Sequence, residues 1–240
     1  MSINCHQRTR NNLVIAAAAN LQFAMGEIVQ SFEEKTGQVC DLVIGASGQL
    51  TTQLMEGAPY DVFLSADVKY PKTLYEAGLT IQAPSTYAYG QLVMWSLESI
   101  PGSIRQLDPY QIRHIAIANP LNAPYGAAAV EALKYFDVYE ALEEKLVFGE
   151  NISQTNHFIL SRAATLGFTA KSVVLSPRMK TEGTWIDVDS AGYRPIAQGA
   201  VVMKNSKKLD LAEQFFQFLF SEQAQEIFHQ YGYLINRNIE

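Results

Sequence analysis

An uninterrupted apolar run, Leu13 to Ala18, meets a helical repeat with only Ala19 and Asn20 between them. The run is short and free of polar alternation, which reads as a strand buried on both faces. From Leu21 the apolar residues recur at Met25, Ile28 and Phe32, the spacing of one helix face. A strand that feeds straight into a helix leaves unpaired backbone N–H groups at the helix start, above the strand end. With the helix dipole behind them, those groups suit an anion.

The junction recurs along the chain. Val39 to Ile44 reads as a strand, followed by Gly45-Ala46-Ser47-Gly48 and a helix to Glu56. Tyr60 to Asp67 reads as a strand ending in polar residues, and Pro71 to Ala77 as a short helix closed by Gly78. Strand alternating with helix argues for a parallel sheet covered by helices. Tyr89 to Ser96 is a long apolar strand, and the Pro- and Gly-containing Ser99–Ser103 stretch after it marks a change of texture, expected to lead into a second unit. There the pattern restarts: strand His114–Ala118, turn, and a helix with Pro124 in its first turn. Strand Leu146–Gly149 leads to a helix opening at Asn151, and Leu166–Val173 reads as a strand. Arg194–Lys204 is a long return strand, and two amphipathic helices, Asp210–Phe220 and Glu222–Tyr231, close the chain, the second capped by Ser221. The expected fold is α/β: two Rossmann-like lobes joined by crossing strands near residues 80–90 and 190–200. Lobe 1 is 11–88 plus 198–240, lobe 2 is 89–197, and residues 1–10 form a disordered tail. In such sheets ligands bind beyond the carboxyl ends of the strands, here the cleft between the lobes.

Composition narrows the function. The formal charge of the 240-residue chain is −6, and its Lys and Arg are scattered, so there is no basic stripe to neutralise phosphates and no nucleic-acid partner is expected. A net-negative protein that holds an anion must do so with local dipoles. No apolar window is long enough for a membrane span. Met1–Arg10 lacks the apolar centre of a signal peptide, so the protein is either cytoplasmic or a mature form with its signal removed. Cys40 reads as a small core residue, and a disulfide to Cys5 is not expected. His6, His114, His157 and His229 show no metal-ligand spacing, and no metal or other cofactor is expected.

Four strand-to-helix turns carry the candidate chemistry: Ala19-Asn20, Ala46-Ser47-Gly48, Asn122–Gly126 and Asn151-Ile152-Ser153. Small residues beside them let a ligand approach the backbone. Ser47 adds a hydroxyl and Asn20 an amide. Apart from flanking Glu150, none contains a charged residue. A neutral, donor-only site suits an oxyanion that is fully deprotonated near pH 7, such as molybdate, tungstate or sulfate; phosphate keeps a proton and asks for an acceptor. Each turn alone is an ordinary feature of an α/β protein, and Asn20 and Ser47 could be plain caps. The coincidence of four carries the reading. Gly45-Ala-Ser-Gly-Gln49 resembles the nucleophile elbow of a serine hydrolase but has Gln49 where that motif needs glycine. Asp61 and Asp67 read as turn and cap residues rather than catalytic carboxylates, and no helix-turn-helix segment points to a sensor. No catalytic residue is expected.

The series Ala-Ala-Ala-Ala-Asn-Leu, Gly-Ala-Ser-Gly-Gln-Leu, Gly-Ala-Pro-Tyr-Asp-Val-Phe-Leu-Ser-Ala-Asp, Asn-Pro-…-Ala-Pro-Tyr-Gly, Gly-Glu-Asn-Ile-Ser-Gln and Ala-Gln-Glu-Ile-Phe-His-Gln-Tyr-Gly-Tyr, spread over Leu13 to Tyr233, resembles the molybdate/tungstate-binding proteins of bacterial ABC uptake systems. The resemblance implies a type II periplasmic binding fold that closes like a hinge on its anion and delivers it to a membrane permease, as a periplasmic, monomeric protein without enzymatic activity. Carried over by position, it implies a backbone N–H from Ala19, donors from Asn20, hydroxyl and N–H from Ser47, and backbone N–H groups from Tyr125 and Ile152. The chain departs from the family pattern twice: Ala19 replaces a first-turn Ser or Thr, and Gly167–Ala170 holds no tyrosine.

Overall fold

The computed structural model describes residues 12–235; the expected N-terminal tail, with Cys5 and His6, lies outside them. In chain order the strands are β1 (Leu13–Ala18), β2 (Cys40–Gly45), β3 (Val62–Ser65), β4 (Ser85–Gly90), β5 (Leu92–Ser96), β6 (Ile115–Ala118), β7 (Leu146–Gly149), β8 (Leu166–Ala170), β9 (Thr184–Asp187) and β10 (Ile196–Val202). The α-helices are α1 (Gln22–Thr36), α2 (Ser47–Met55), α3 (Lys69–Glu76), α4 (Pro124–Tyr135), α5 (Tyr139–Leu142), α6 (Ile152–Leu160), α7 (Lys171–Val174), α8 (Leu209–Phe218) and α9 (Glu222–Gln230). None of these helices is long and apolar enough to cross a membrane.

Two five-stranded sheets result, ordered β2-β1-β3-β10-β4 and β7-β6-β8-β5-β9. They share one plan. Three parallel strands, β2, β1 and β3 in the first and β7, β6 and β8 in the second, are followed by an antiparallel pair. The apolar runs are buried as expected: every residue of β3, β5, β6 and β8, and all of β1 except Val14. Such strands have helices over both faces, which is why their sequences lack alternation. α1 buries Ala24, Met25, Ile28 and Phe32 and ends at Gly37, which takes the left-handed conformation (φ 70°) and donates its N–H to Glu33 O. Phe32 meets Phe215 of α8 edge-on, centroids 5.1 Å apart, so the C-terminal helices return to the first sheet. Ser221 caps α9 by accepting from Ala224 N.

Three expectations are corrected. The apolar stretch Tyr89–Ser96 is not one strand. Tyr89 and Gly90 pair with Ala197 and Ile196 in the first sheet, whereas Leu92 pairs with Ala170 in the second, so the chain crosses at Gln91 rather than at 89 or within Ser99–Ser103. Gln91 is pinned there, its carbonyl accepting from Lys171 N (2.9 Å) and its amide donating to Gly232 O (2.6 Å). The strand expected over Leu166–Val173 stops at Ala170 and turns into α7. Asp61 is more than a turn residue: it is buried, accepts from Val14 N (2.8 Å) and Ser206 Oγ (2.7 Å), and pairs with Lys208 Nζ at 3.3 Å. It thereby ties β1 to the segment before α8. Asp67, as expected, accepts from the first turn of α3 at Tyr70 N (3.1 Å).

Cys40 has no cysteine partner among the described residues; it is partly exposed, and its thiol pKa is pushed up to about 12, by burial first and by neighbouring Glu33 and Asp41 second. It stays protonated and unreactive at neutral pH. Among the described residues no group of His, Cys, Asp or Glu is placed to hold a metal ion.

Candidate functional site

The strand ends of β1, β2, β6 and β7 converge on one small, tight cavity, lined by Ala18, Ala19, Asn20, Gly45, Ala46, Ser47, Ala66, Ala123, Pro124, Tyr125, Asn151 and Ile152. All five residues singled out in the sequence, Ala19, Asn20, Ser47, Tyr125 and Ile152, are brought together there, and each is buried. Three come from turns of the first sheet's strands and two from turns of the second's. None of Gly167–Ala170 lines it; Thr169 Oγ1 instead donates to Asn156 Oδ1 at 2.6 Å.

The residues before the helices explain why the donors are available. The N-cap positions of the turn Ala19–Leu21, of α2 and of α4 are Ala18, Ala46 and Ala123, all extended (φ/ψ −60/143°, −72/141° and −123/116°) and without a capping side chain. Alanine is a poor N-cap, about 1 kcal/mol worse than Ser or Asp, because it offers nothing to the first-turn N–H groups. Only the fourth start is self-capped, Asn151 Oδ1 accepting from Gln154 N at 3.1 Å, which leaves the N–H of Ile152 outside the cap. Within α2 the N–H of Gly48 is taken by Asn122 O (2.9 Å), and within α4 that of Gly126 by Ala123 O (2.9 Å). The N–H groups of Ser47 and Tyr125, at or next to the first helical position, have no intrahelical acceptor. The entry into α1 differs from a direct strand–helix step, since a single 3-10 turn, Ala19–Leu21, intervenes.

Ser47 is held by its own oxygen. Ala66 N, at the end of β3, donates to Ser47 Oγ at 3.0 Å, which leaves the hydroxyl proton to be donated. The Asn20 side chain corrects the sequence reading: its Nδ2 donates to Gln198 Oε1 (2.8 Å) and Tyr233 Oη (2.9 Å), so both amide protons serve the protein. Gln198, Tyr233 and Ser172 were missed in the sequence. The visible signal was Gln198 itself, a lone amide inside the apolar strand Ile196–Val202.

The two lobes touch across the cavity. Gly48 N donates to Asn122 O, Tyr70 Oη to Leu121 O (2.9 Å), Ser153 Oγ to Gln22 Oε1 (2.8 Å) and Ser172 Oγ to Asn20 O (2.7 Å). This is a closed arrangement. Gly48 permits it: a Cβ there would stand 2.9 Å from Tyr70 Oη and 3.0 Å from Asn122 Cα. Gly48→Ala should therefore fold normally but close less well, weakening any cleft ligand about fivefold, for roughly 1 kcal/mol of overpacking carried by the closed form. Titration calorimetry beside a thermal melt separates the two effects. Outside the cavity the cleft opens into a groove lined by Asp67, Lys69, Glu131 and Arg194, so charge surrounds the site without entering it. Burial raises the Asp67 carboxyl, partly offset by the Tyr70 N–H it accepts. The Arg194–Glu131 pair closes on itself, Arg194 Nε donating to Glu131 Oε1 at 2.8 Å.

Two α/β lobes linked by crossing strands and closed over a neutral, donor-lined cavity define a ligand receptor of the periplasmic-binding class. The comparison with known families narrows this. The profile of the bacterial extracellular solute-binding proteins matches residues 13–234, and the chain belongs to that family. It is 40% identical to the molybdate-binding protein ModA of Rhodobacter capsulatus, over 92% of this chain and 88% of that one, and 37% identical to ModA of Azotobacter vinelandii, over 91% and 88%. The solved periplasmic molybdate-binding protein of A. vinelandii superposes with a TM-score of 0.87 at 32% identity, covering 93% of this chain and 99% of that chain. The sulfate-binding protein SubI of Mycobacterium tuberculosis shares the fold at 13% identity (TM-score 0.80, 95% and 88% covered). Membership in a family of solute-binding proteins, a non-enzymatic component of transport, sets aside the hydrolase reading of Gly45–Gln49.

Proposed function

We propose that this protein is the extracytoplasmic receptor of an ABC uptake system, capturing molybdate or tungstate and handing it to a membrane permease. One observation carries the reading: the residues lining the cavity include no Asp, Glu, Lys, Arg or His. Charge on the ligand is met by backbone N–H groups at helix starts, by the Ser47 hydroxyl and by the dipoles behind them. A dianion with four equivalent oxygens and no proton fits such a set. Monohydrogen phosphate would press its own O–H against donors and be rejected.

In this reading Ala19, Asn20 and Ser47 of the first lobe and Tyr125 and Ile152 of the second each reach the anion, which draws the lobes together because neither half-set suffices alone. The lobes are residues 11–88 with 198–240 and residues 89–197, adjusted to the crossing at Gln91. The protein acts as a monomer, and the high identity to the molybdate-binding relatives supports the choice of anion. Titration calorimetry with molybdate, tungstate, sulfate and phosphate in turn tests it. Tight one-to-one binding of the first two, weak sulfate and silent phosphate are expected. Sulfate binding best would change the ligand, and silence from all four would overturn the proposal.

A further inference from the structure

Behind the cavity lies a buried polar cluster that the strand–helix turns do not require. Asn20 donates from Nδ2 to Gln198 Oε1 and Tyr233 Oη; its carbonyl accepts from Ser172 Oγ (2.7 Å) and Tyr233 Oη (2.9 Å). Gln198 Nε2 donates to Ala66 O (3.3 Å) and Ile196 O (3.2 Å). Asn20, Gln198, Ser172 and Tyr233 are all buried, and their donors are spent on one another and on these carbonyls.

Tyr125 Oη stands at the edge of this cluster. It is buried and makes no hydrogen bond of its own, because the Asn20 side chain beside it gives its amide protons to Gln198 and Tyr233. A Cβ built on Gly90 would fall 2.1 Å from it, with Gln198 Nε2 a further neighbour of that point. Gly90 and Gln198 lie on β4 and β10, the strands that lead into the crossings, and neither lines the cavity. The phenol thus meets Gly90 and Gln198, which lie outside the cavity lining. Burial pushes the pKa of this phenol well above the usual tyrosine range, so it carries its proton throughout the neutral range.

A buried donor without an acceptor is destabilising, and its cost is relieved once water reaches it. Tyr125 sits on α4 of the second lobe, whereas Gly90 and Gln198, which stand against its hydroxyl, belong to strands of the first sheet. We propose that the Tyr125 hydroxyl sets the energy of lobe closure: its unpaired burial penalises the closed form, so closure requires the anion and affinity stays below what the cavity donors alone would reach. This rests on the reading of the cavity as an anion site. The consequence is a receptor that stays open when empty and releases its cargo more readily.

The test is Tyr125→Phe, with molybdate titrated into both proteins by calorimetry and small-angle scattering recorded on both without ligand. The expected result is affinity about tenfold tighter than wild type and a smaller radius of gyration for the ligand-free variant. Weaker binding would overturn the proposal and make the phenol a donor to the anion; unchanged affinity with unchanged scattering would overturn it as well. Should the wild-type protein bind none of the oxyanions, the anion reading falls, and the ligand-free scattering still decides this one: a more compact variant supports it, an equal or more open one overturns it.

Discussion

Gly126→Ala is expected to cost about 3 kcal/mol of stability, at the upper end of what one added methyl group does in a packed interior. The geometry leaves no soft neighbour. A Cβ at Gly126 would fall 1.9 Å from Ala118 O, 2.7 Å from Ala118 C and 3.1 Å from Pro120 N. All three are backbone atoms at the end of β6, so the start of α4 must lift off the strand. For a chain of this length that loss lowers the melting temperature by roughly 6–12 °C, and urea unfolding should show a lower midpoint at an unchanged slope. Lifting α4 also carries the Tyr125 N–H away from the cavity. Affinity should fall together with stability, and a variant that melted early but bound its anion normally would remove Tyr125 from the site.

Ser47→Ala has the larger effect on binding. Its hydroxyl proton is free because Ala66 N occupies the oxygen, and a hydrogen bond to a charged partner contributes roughly 1.5–3 kcal/mol. Affinity for the preferred oxyanion should drop by about one to two powers of ten. The same substitution orphans the buried Ala66 N–H, so a loss of about 1 kcal/mol in stability is expected as well. The two readouts distinguish the roles: lowered stability with unchanged affinity would make Ser47 a strut between β3 and α2 and nothing more.

The parts of the fold that were legible in the sequence are those set by local rules. Leu13–Ala18 and His114–Ala118 announced buried parallel strands because their apolar runs lack alternation, and the turns after them announced helix starts through small residues and Pro124. The placement of Ala19, Asn20, Ser47, Tyr125 and Ile152 around one cavity follows from those junctions, since strand ends of a parallel sheet share one edge. What stayed hidden depends on pairing between distant segments. The crossing at Gln91 interrupts an apolar stretch that is continuous in sequence, and only the change of partner, from Ile196 for Gly90 to Ala170 for Leu92, breaks it. The edge strand β9, Thr184–Asp187, is short and partly exposed, with no periodicity to read. Asn20 looked like a ligand donor because nothing near it in sequence competes for its amide; the competitors, Gln198 and Tyr233, are 178 and 213 residues away.

The three alanines that precede the helix starts have a consequence for how such a site could evolve. Serine at position 46 or 123 would cap its helix and add about 1 kcal/mol to the empty protein. Each would also be a tethered competitor, an oxygen held at very high effective concentration beside the N–H groups that the cavity offers. The common route to a sturdier fold is thus closed at these positions by self-inhibition. Alanine there leaves the N–H groups of these turns open to an oxygen that comes from outside.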